Sequence, residues 1–445
     1  MTVDRLPLNL TSRKKWRSSI SSRVKPVEET VNFVDPLCKK IGVTRIADIT
    51  DMDRLRIANY SATLPGTEDY IWVYSGKGTT KLQAKASVMM ECIERFCSLP
   101  RSWKKKFIYG SYDDLSKSHT VLHPNEVIEP LRFEYRNDMP MEFVEGSDLF
   151  TDEKILVPAS LALFRYSPQA SAVDPFAFHH TNGLASGNVI EEAVCHSLCE
   201  VIERDATSLA ELRASAIPFH ILRQVHESLK SDGYALSSLS LNNFVDDPYV
   251  FADLNISDLL PYHLLHDLVA KFSGAGIRLI IKDVTSDIGI PTFSVSSVEW
   301  LSHNYGYLTE GYGTHPQSGI ALVRAITELS QSRAANIHGA RDDLRKILYS
   351  EDNTDEKKAW QFMQSNKTVR LSDIRSFSND DILDDIKLIL GNLRRAGIRR
   401  AIIVDLSNED IKIPVVRAIL PGLETFKITK SIMGWRARRY LPGNG

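Results

Sequence analysis

One ten-residue pattern occurs twice in this chain, as Ala86-Ser87-Val88-Met89-Met90-Glu91-Cys92-Ile93-Glu94-Arg95 and as Cys195-His196-Ser197-Leu198-Cys199-Glu200-Val201-Ile202-Glu203-Arg204. Each copy sets Glu-x-x-Glu-Arg in an otherwise apolar stretch whose spacing predicts a helix. Residues three and four apart share a helix face, so Glu91 and Glu94 form one stripe, with Ser87 a turn before Glu91 and Arg95 a turn after it. Glu200, Glu203 and Arg204 repeat the arrangement, and Glu192 lies two turns earlier. Carboxylates amid apolar residues are costly to bury unless something cationic sits between them. A fold for this chain must satisfy that demand twice.

At 445 residues the chain can bury a large core in one big domain or a few smaller ones. A formal net charge of −2 gives no global argument for nucleic acid or membrane binding. No apolar run approaches the length of a membrane span, and the basic start (Arg13, Lys14, Lys15, Arg17) lacks the apolar core of a secretory signal. Four of the five cysteines lie in or beside the motif helices and Cys38 stands alone, with no Cys-x-x-Cys. Buried, reduced thiols and a cytoplasmic location are expected.

Residues 1–24 read as a mobile, solvated basic arm. A helix is expected from Pro26 to Ile41, kinked at Pro36. Strands are expected at Thr44–Ile49, Asn59–Thr63, Tyr70–Tyr74 and Ile155–Ser160, with residues 101–150 lacking a period. Thr80 with Gln83 suggests a capping box for the first motif helix, Asn188 with Glu191 one for the second. A third long helix from about Gln317 to Ile337, stopped by Gly339, places Arg324, Glu328 and Gln331 on one stripe. A second internal repeat closes the chain: Ala275-Gly276-Ile277-Arg278 and Ala396-Gly397-Ile398-Arg399 each follow an amphipathic stretch and lead into two strands. Ser350–Leu371 reads as a polar insertion or linker. The fold class expected is α+β, an α/β layered arrangement of repeated helix–strand–strand units.

Three chemistries suit four glutamates on two helices. A di-metal carboxylate bundle normally needs Glu-x-x-His, and arginine stands here instead. Surface ion pairing explains Glu91 and Arg95 but fits two apolar helices less well. Magnesium-nucleotide binding uses hard carboxylate oxygens for the metal and arginine forks for phosphates, which is the mixture present. Ser75-Gly76-Lys77-Gly78-Thr79-Thr80 is no phosphate loop, since Gly78 follows the lysine. His179 and His180 read as loop residues without acidic partners, and Lys77 as a turn cation or a phosphate contact.

Gly76-Lys77-Gly78, Ser87-x3-Glu91-x2-Glu94-Arg95, Asn188-x3-Glu192-x7-Glu200-x2-Glu203-Arg204 and Glu328-x2-Gln331-x-Arg333 together resemble the signature of the YcaO family. Thr181-Asn182-Gly183 and Pro421-Gly422-Leu423-Glu424 match in order, so the resemblance covers roughly residues 25–430. It implies a YcaO-type fold as one catalytic unit over 25–430, flanked by the arm and by a tail at 431–445. It further implies activation of a peptide-backbone amide by ATP with Mg2+, through addition of a nucleophile and phosphorylation of the resulting oxyanion. By the carry-over, Glu91, Glu94, Glu200 and Glu203 hold magnesium, while Lys25, Ser87, Arg95, Asn188, Glu192, Arg204, Gln331 and Arg333 line ATP. No catalytic base is assigned.

The resemblance implies a product as well. Azoline-forming members commonly carry a proline-rich C-terminal tail and a fused leader-binding domain; this chain ends Arg439-Tyr440-Leu441-Pro442-Gly443-Asn444-Gly445. Ile41–Asp48 and Lys77–Arg95 resemble archaeal members that thioamidate a glycine of methyl-coenzyme M reductase. A thioamide from external sulfide is therefore expected, with the α subunit of that reductase as substrate and a sulfide donor or TfuA-like protein as partner. No nucleic acid or membrane partner is expected, and a homodimer is compatible. The alternatives are an azoline-forming cyclodehydratase acting on Cys, Ser or Thr, or a non-catalytic ATP-binding accessory factor.

Overall fold

The computed structural model describes residues 7–16, 22–66, 71–169, 171–236, 241, 243–300, 306–339 and 359–441. Its longer helices are α1 (Val27–Lys40), α2 (Lys81–Cys97), α3 (Ile190–Glu211), α4 (Ile217–Ser231), α5 (His263–Gly274), α6 (Ser318–His338) and α7 (Ile382–Arg395). The strands are β1 (Arg45–Asp48), β2 (Asn59–Pro65), β3 (Ile71–Lys77), β4 (Ile108–Ser111), β5 (Pro140–Asp148), β6 (Lys154–Pro158), β7 (Leu184–Ser186), β8 (Asp253–Leu254), β9 (Arg278–Asp283), β10 (Thr292–Trp300), β11 (Gly306–Thr314), β12 (Thr368–Val369), β13 (Ile402–Asp405) and β14 (Val415–Ile419).

They form three sheets, ordered β1-β2-β3, β11-β10-β9-β8-β12 and β4-β5-β13-β14-β7, with β6 on β5. The expected repeat is present: α5-β9-β10 builds the second sheet and α7-β13-β14 the third, each strand pair antiparallel. This is the mixed α+β class that the element pattern implied. Helix α3 is the central piece, because most of its residues are buried along 22 positions. Val194, Leu198, Val201 and Ile202 pack with Ile386 and Ile389 of α7 and with Val416 and Ala418 of β14.

Glycines set the layer spacing where the site lies. A Cβ on Gly76 would fall 2.2 Å from the Ala84 carbonyl oxygen of α2. One on Gly311 or Gly313 would fall 2.2 or 2.1 Å from backbone atoms of α6. Strand β3 can lie against the α2 backbone, and β11 against that of α6, only without side chains at those points.

Several local expectations are corrected. The described part of the arm is anchored rather than loose: Thr11 N donates to Glu191 at 2.8 Å, Arg13 N to Asp381 at 2.9 Å, and Lys15 pairs with buried Asp385 at 2.6 Å. Residues 101–150 hold β4 and β5, whose pairing runs Ile108↔Phe143 to Ser111↔Pro140. The stretch 431–441 is no loose tail, for Arg436 is buried on Asp205. Of the expected linker, 350–358 lie outside the described residues, and Trp360 beyond them is core. Pro36 stays within α1.

The caps also differ. Thr80 accepts from Gln83 N, but the Gln83 side chain turns to Thr79. The cap of α3 is Val189, and Asn188 instead donates to Glu192 and accepts from Thr30 Oγ1.

Candidate functional site

Helices α2 and α3 approach each other across β7. Ser186 of that strand donates its N–H to Glu94 Oε2 at 3.1 Å and its hydroxyl to the Met90 carbonyl. Glu94 therefore faces α3 with Glu91 and Glu200 as electrostatic neighbours. Burial, reinforced by Glu200 and Glu91, pushes the Glu94 carboxyl from 4.5 up to about 8. Burial raises Glu200 and Glu203 in the same direction. Burial and neighbouring carboxyls shift such groups toward the protonated form, and a bound cation would favour the ionised form instead.

The arginines are interleaved. Arg95 lies 3.5 Å from Glu91 and 4.0 Å from Glu94, and Arg204 lies 3.9 Å from Glu203. Glu328 of α6 crowds Glu203 from the other side and is itself held ionised by Lys77 and Arg204. Lys77 thus ends on Glu328 rather than on a turn. Arg417 of β14 is buried near Glu200 and donates to the His180 carbonyl at 2.8 Å; burial pulls it down to about 10.

Of these groups, Glu91, Arg204 and Glu328 border a cavity of about 540 Å³, which Ser75, Glu310 and Gln331 also line. Gln331 donates to the Ser75 carbonyl, tying α6 to β3. A second space, of about 10 Å³, has room for a single water. It is lined by Ser22, Arg23, Glu192, His196, His315 and Arg324, with Cys195 and Cys199. Burial and the nearby Arg324 hold both histidines neutral.

Among the expected nucleotide residues, the structure gathers Arg95, Arg204 and Gln331 near the glutamates and sets Glu192 at the smaller space. Glu192 accepts from Val24 N at 2.7 Å and from Asn188 N and Nδ2, both at 2.9 Å. Ser87 is half-buried on α2. Two residues are turned elsewhere. Lys25 stands 5.4 Å from the centroid of the Phe33 ring, and neither space is lined by it. Arg333 is buried on Asp53 at 2.8 Å and Glu299 at 2.8 Å, where it joins α6 to β10 and the turn before β2. His179 and His180 do have acidic partners, Asp174 at 2.6 Å and Glu129 at 2.8 Å.

The sequence reading assigned no role to Arg324, Arg417, Glu310 or His315. Arg324 and Glu328 share the stripe noted on the third helix, and that spacing was the available signal. Arg417 and Glu310 sit on strands with no motif around them.

No group of three or more His, Cys, Asp or Glu side chains among the described residues forms a ready metal cage. Magnesium does not require one, because it binds through one or two carboxylates plus phosphate oxygens. Arg95 Nη1 and Arg324 Nε are buried without hydrogen-bond partners, which suits phosphate oxygens. The residues fit a magnesium-nucleotide complex.

A mixed α+β fold with clustered carboxylates and arginines defines a nucleotide-phosphate and divalent-cation site. Residues 75–424 match the family described as YcaO cyclodehydratase, ATP- and Mg2+-binding. The chain belongs to the YcaO family, and its cofactors are ATP and Mg2+. An uncharacterized protein of Methanothermobacter thermautotrophicus is 33% identical over 421 residues, 93% of this chain and 98% of the relative. An uncharacterized protein in the tfuA 3′ region of Rhizobium leguminosarum bv. trifolii is 26% identical, over 89% of this chain and 87% of its own length.

Among solved structures, YcaO from Methanopyrus kandleri bound with AMPPCP and Mg2+ has the same fold, with a TM-score of 0.66 at 22% identity over 96% of this chain and 98% of that one. A heterocyclase in complex with substrate and cofactor gives a TM-score of 0.72 at 20% identity. The match covers 95% of this chain and 55% of the heterocyclase, so this chain spans little more than half of that length. No described helix is long and apolar enough to cross a membrane.

Proposed function

We propose that this chain uses ATP to activate a backbone amide of a protein and replaces the amide oxygen with sulfur, the substrate being the α subunit of methyl-coenzyme M reductase. The observation that carries the reading is the wall of the larger cavity. Glu91, Arg204 and Glu328 face a space that opens beside the metal-seeking carboxylates. When bound, Mg-ATP supplies the phosphoryl group that turns the amide oxygen into a leaving group. Glu91, Glu94, Glu200 and Glu203 hold the metal, and Arg95 and Arg204 neutralise charge growing on the phosphoryl oxygens. Lys77 keeps Glu328 ionised and so fixes the field around Glu203.

The choice of sulfur is supported by the methanogen relative and by the relative in a tfuA region. A sulfide donor or a TfuA-like protein supplies the nucleophile. The alternative product, an azoline, draws on the likeness in fold to a heterocyclase.

Two measurements test this reading. Glu91→Ala and Glu203→Ala should abolish stabilisation by Mg-ATP while leaving the fold intact; calorimetry showing undiminished affinity in both would refute the site. Exchange of oxygen for sulfur adds about 16 mass units and cyclodehydration removes about 18, the two outcomes of losing the activated amide oxygen. Mass spectrometry of the reductase from cells with and without this gene should show the gain at glycine. A gene-dependent water loss at Cys, Ser or Thr would transfer the assignment to azoline formation. Peptide without stimulation of phosphate release would leave an accessory role.

A further inference from the structure

Strand β11 forms the floor of the larger cavity, and no described strand pairs with its outer edge. It ends its sheet and pairs with β10 alone among the described residues. The register runs without a bulge from Thr292↔Thr314 to Trp300↔Gly306. His315 N donates to the Pro291 carbonyl, which fixes the odd-numbered residues of β11 as those bonded across to β10. Consistent with this, Tyr312 turns its N–H away from β10, to Glu328 Oε1 at 3.3 Å. The N–H and C=O groups of Leu308 and Glu310 point the same way, into the cavity.

Two walls flank that edge. One is α6, through Gln331, Ser332, Ala335 and Asn336; the other is Ala359, Gln361 and Phe362. Each wall carries a buried polar group without a partner. Asn336 and Gln361 are both 7% exposed, and Asn336 Oδ1 and Gln361 Oε1 accept no hydrogen bond. The Gln361 amide is oriented because its Nε2 donates to Glu310 Oε2 at 3.0 Å, and Glu310 is held in turn by Lys427 at 2.9 Å. An unmet buried acceptor is unfavourable unless a ligand supplies the donor.

We propose that this slot binds the substrate as an added β-strand on the edge of β11, with Leu308 and Glu310 pairing its backbone and Asn336 and Gln361 offering acceptors to donor side chains on its two faces. Such a mode takes an extended polypeptide and draws its affinity from the main chain. It lays one backbone amide of the guest against the wall that carries Glu91 and Arg204. The inference rests on the reading that the site acts on polypeptide.

The test uses the full chain and a phage-displayed library of random short peptides selected on it. Ser332→Trp fills the slot, and Asn336→Leu removes one acceptor; thermal melting reports whether each variant folds. Synthetic copies of the selected peptides are then N-methylated one residue at a time. The expected result is loss of binding in both variants, and a loss of about tenfold at every second N-methyl position, as for removal of a paired backbone N–H. Binders indifferent to both substitutions, N-methyl losses without a two-residue period, or a library yielding no binder would each overturn the proposal. Peptides that occupy the slot with this periodicity but stimulate neither phosphate release nor sulfur incorporation would leave strand addition standing and remove the activity.

Discussion

Helices α2 and α3 carry the same Glu-x-x-Glu-Arg and are held in different ways. In α2, Glu91 is half-exposed on the cavity and pairs with Arg95 of its own helix. Its first turn is closed by Thr80. Helix α3 is buried nearly throughout, and its surplus acids are met by distant parts of the chain. At its N-terminal end Glu191 takes Thr11 and Arg13, and Glu192 takes Arg23 and Val24. Past its motif, Asp205 takes the two-pronged guanidinium of Arg436 at 3.0 Å on both prongs. A motif helix at the rim can balance its charge locally; one in the interior needs both ends of the chain to do so.

The strongest test of that contrast is Arg436→Ala. It leaves Asp205 charged and unpaired in the interior and should destabilise by about 3–5 kcal/mol in urea unfolding. Asp205→Asn with Arg436→Met should recover part of the loss. In α2, Arg95→Ala should cost less than about 2 kcal/mol, because Glu94 beside it can keep its proton. Equal losses would mean that the two helices are held alike.

A pH series sharpens the comparison. The folded-state carboxyl of Glu94 is raised from 4.5 to about 8, so between those values the folded protein binds a proton that the unfolded chain has lost. The contribution of Glu94 to the stability of the metal-free protein should therefore fall as pH rises from 5 to 8, by on the order of 3 kcal/mol. Thermal melts of the wild type and Glu94→Gln, compared at each pH, should differ by that amount across the range, and Mg-ATP should stabilise the wild type more at the alkaline end. A wild-type-minus-variant difference that does not change with pH would mean that Glu94 is already ionised in the resting state.

Two smaller cuts follow. Glu191→Ala removes the acceptor of Thr11 and Arg13 and should cost about 2 kcal/mol, with faster tryptic cleavage at Arg13. An unchanged cleavage rate would place the hold on Asp381 instead. Thr80→Ala removes the cap of α2 and should cost about 1 kcal/mol in chemical denaturation, without moving the unfolding of the α3 region.

Elements with a strong local signal were legible in the sequence. The three long helices, the paired helix–strand–strand units and the short strands before α2 follow from periodicity, glycine stops and β-branched runs. Strands β4 and β5 were not legible, because a buried strand such as Pro140–Asp148 shows little alternation when both faces are covered. The N-terminal arm misled for another reason. Its basic residues look unanchored until Glu191, Asp381 and Asp385, far along the chain, are seen to pair with Arg13, Lys14 and Lys15.

The site divides along the same line. Spacing on a helix is local, so the sequence by itself determined that Glu91 with Glu94 and Glu200 with Glu203 share faces, that each pair carries an arginine, and that magnesium and phosphate suit the set. Which glutamate is buried enough to hold a proton, that Lys77 goes to Glu328, and that Arg333 is spent on Asp53 and Glu299 were decided only by tertiary structure. The free edge of β11 among the described residues, with two amide oxygens beside it that accept no hydrogen bond, was decided there too. Burial, pairing and edge position are properties of what lies across a gap, and a helix or strand read alone has nothing across from it.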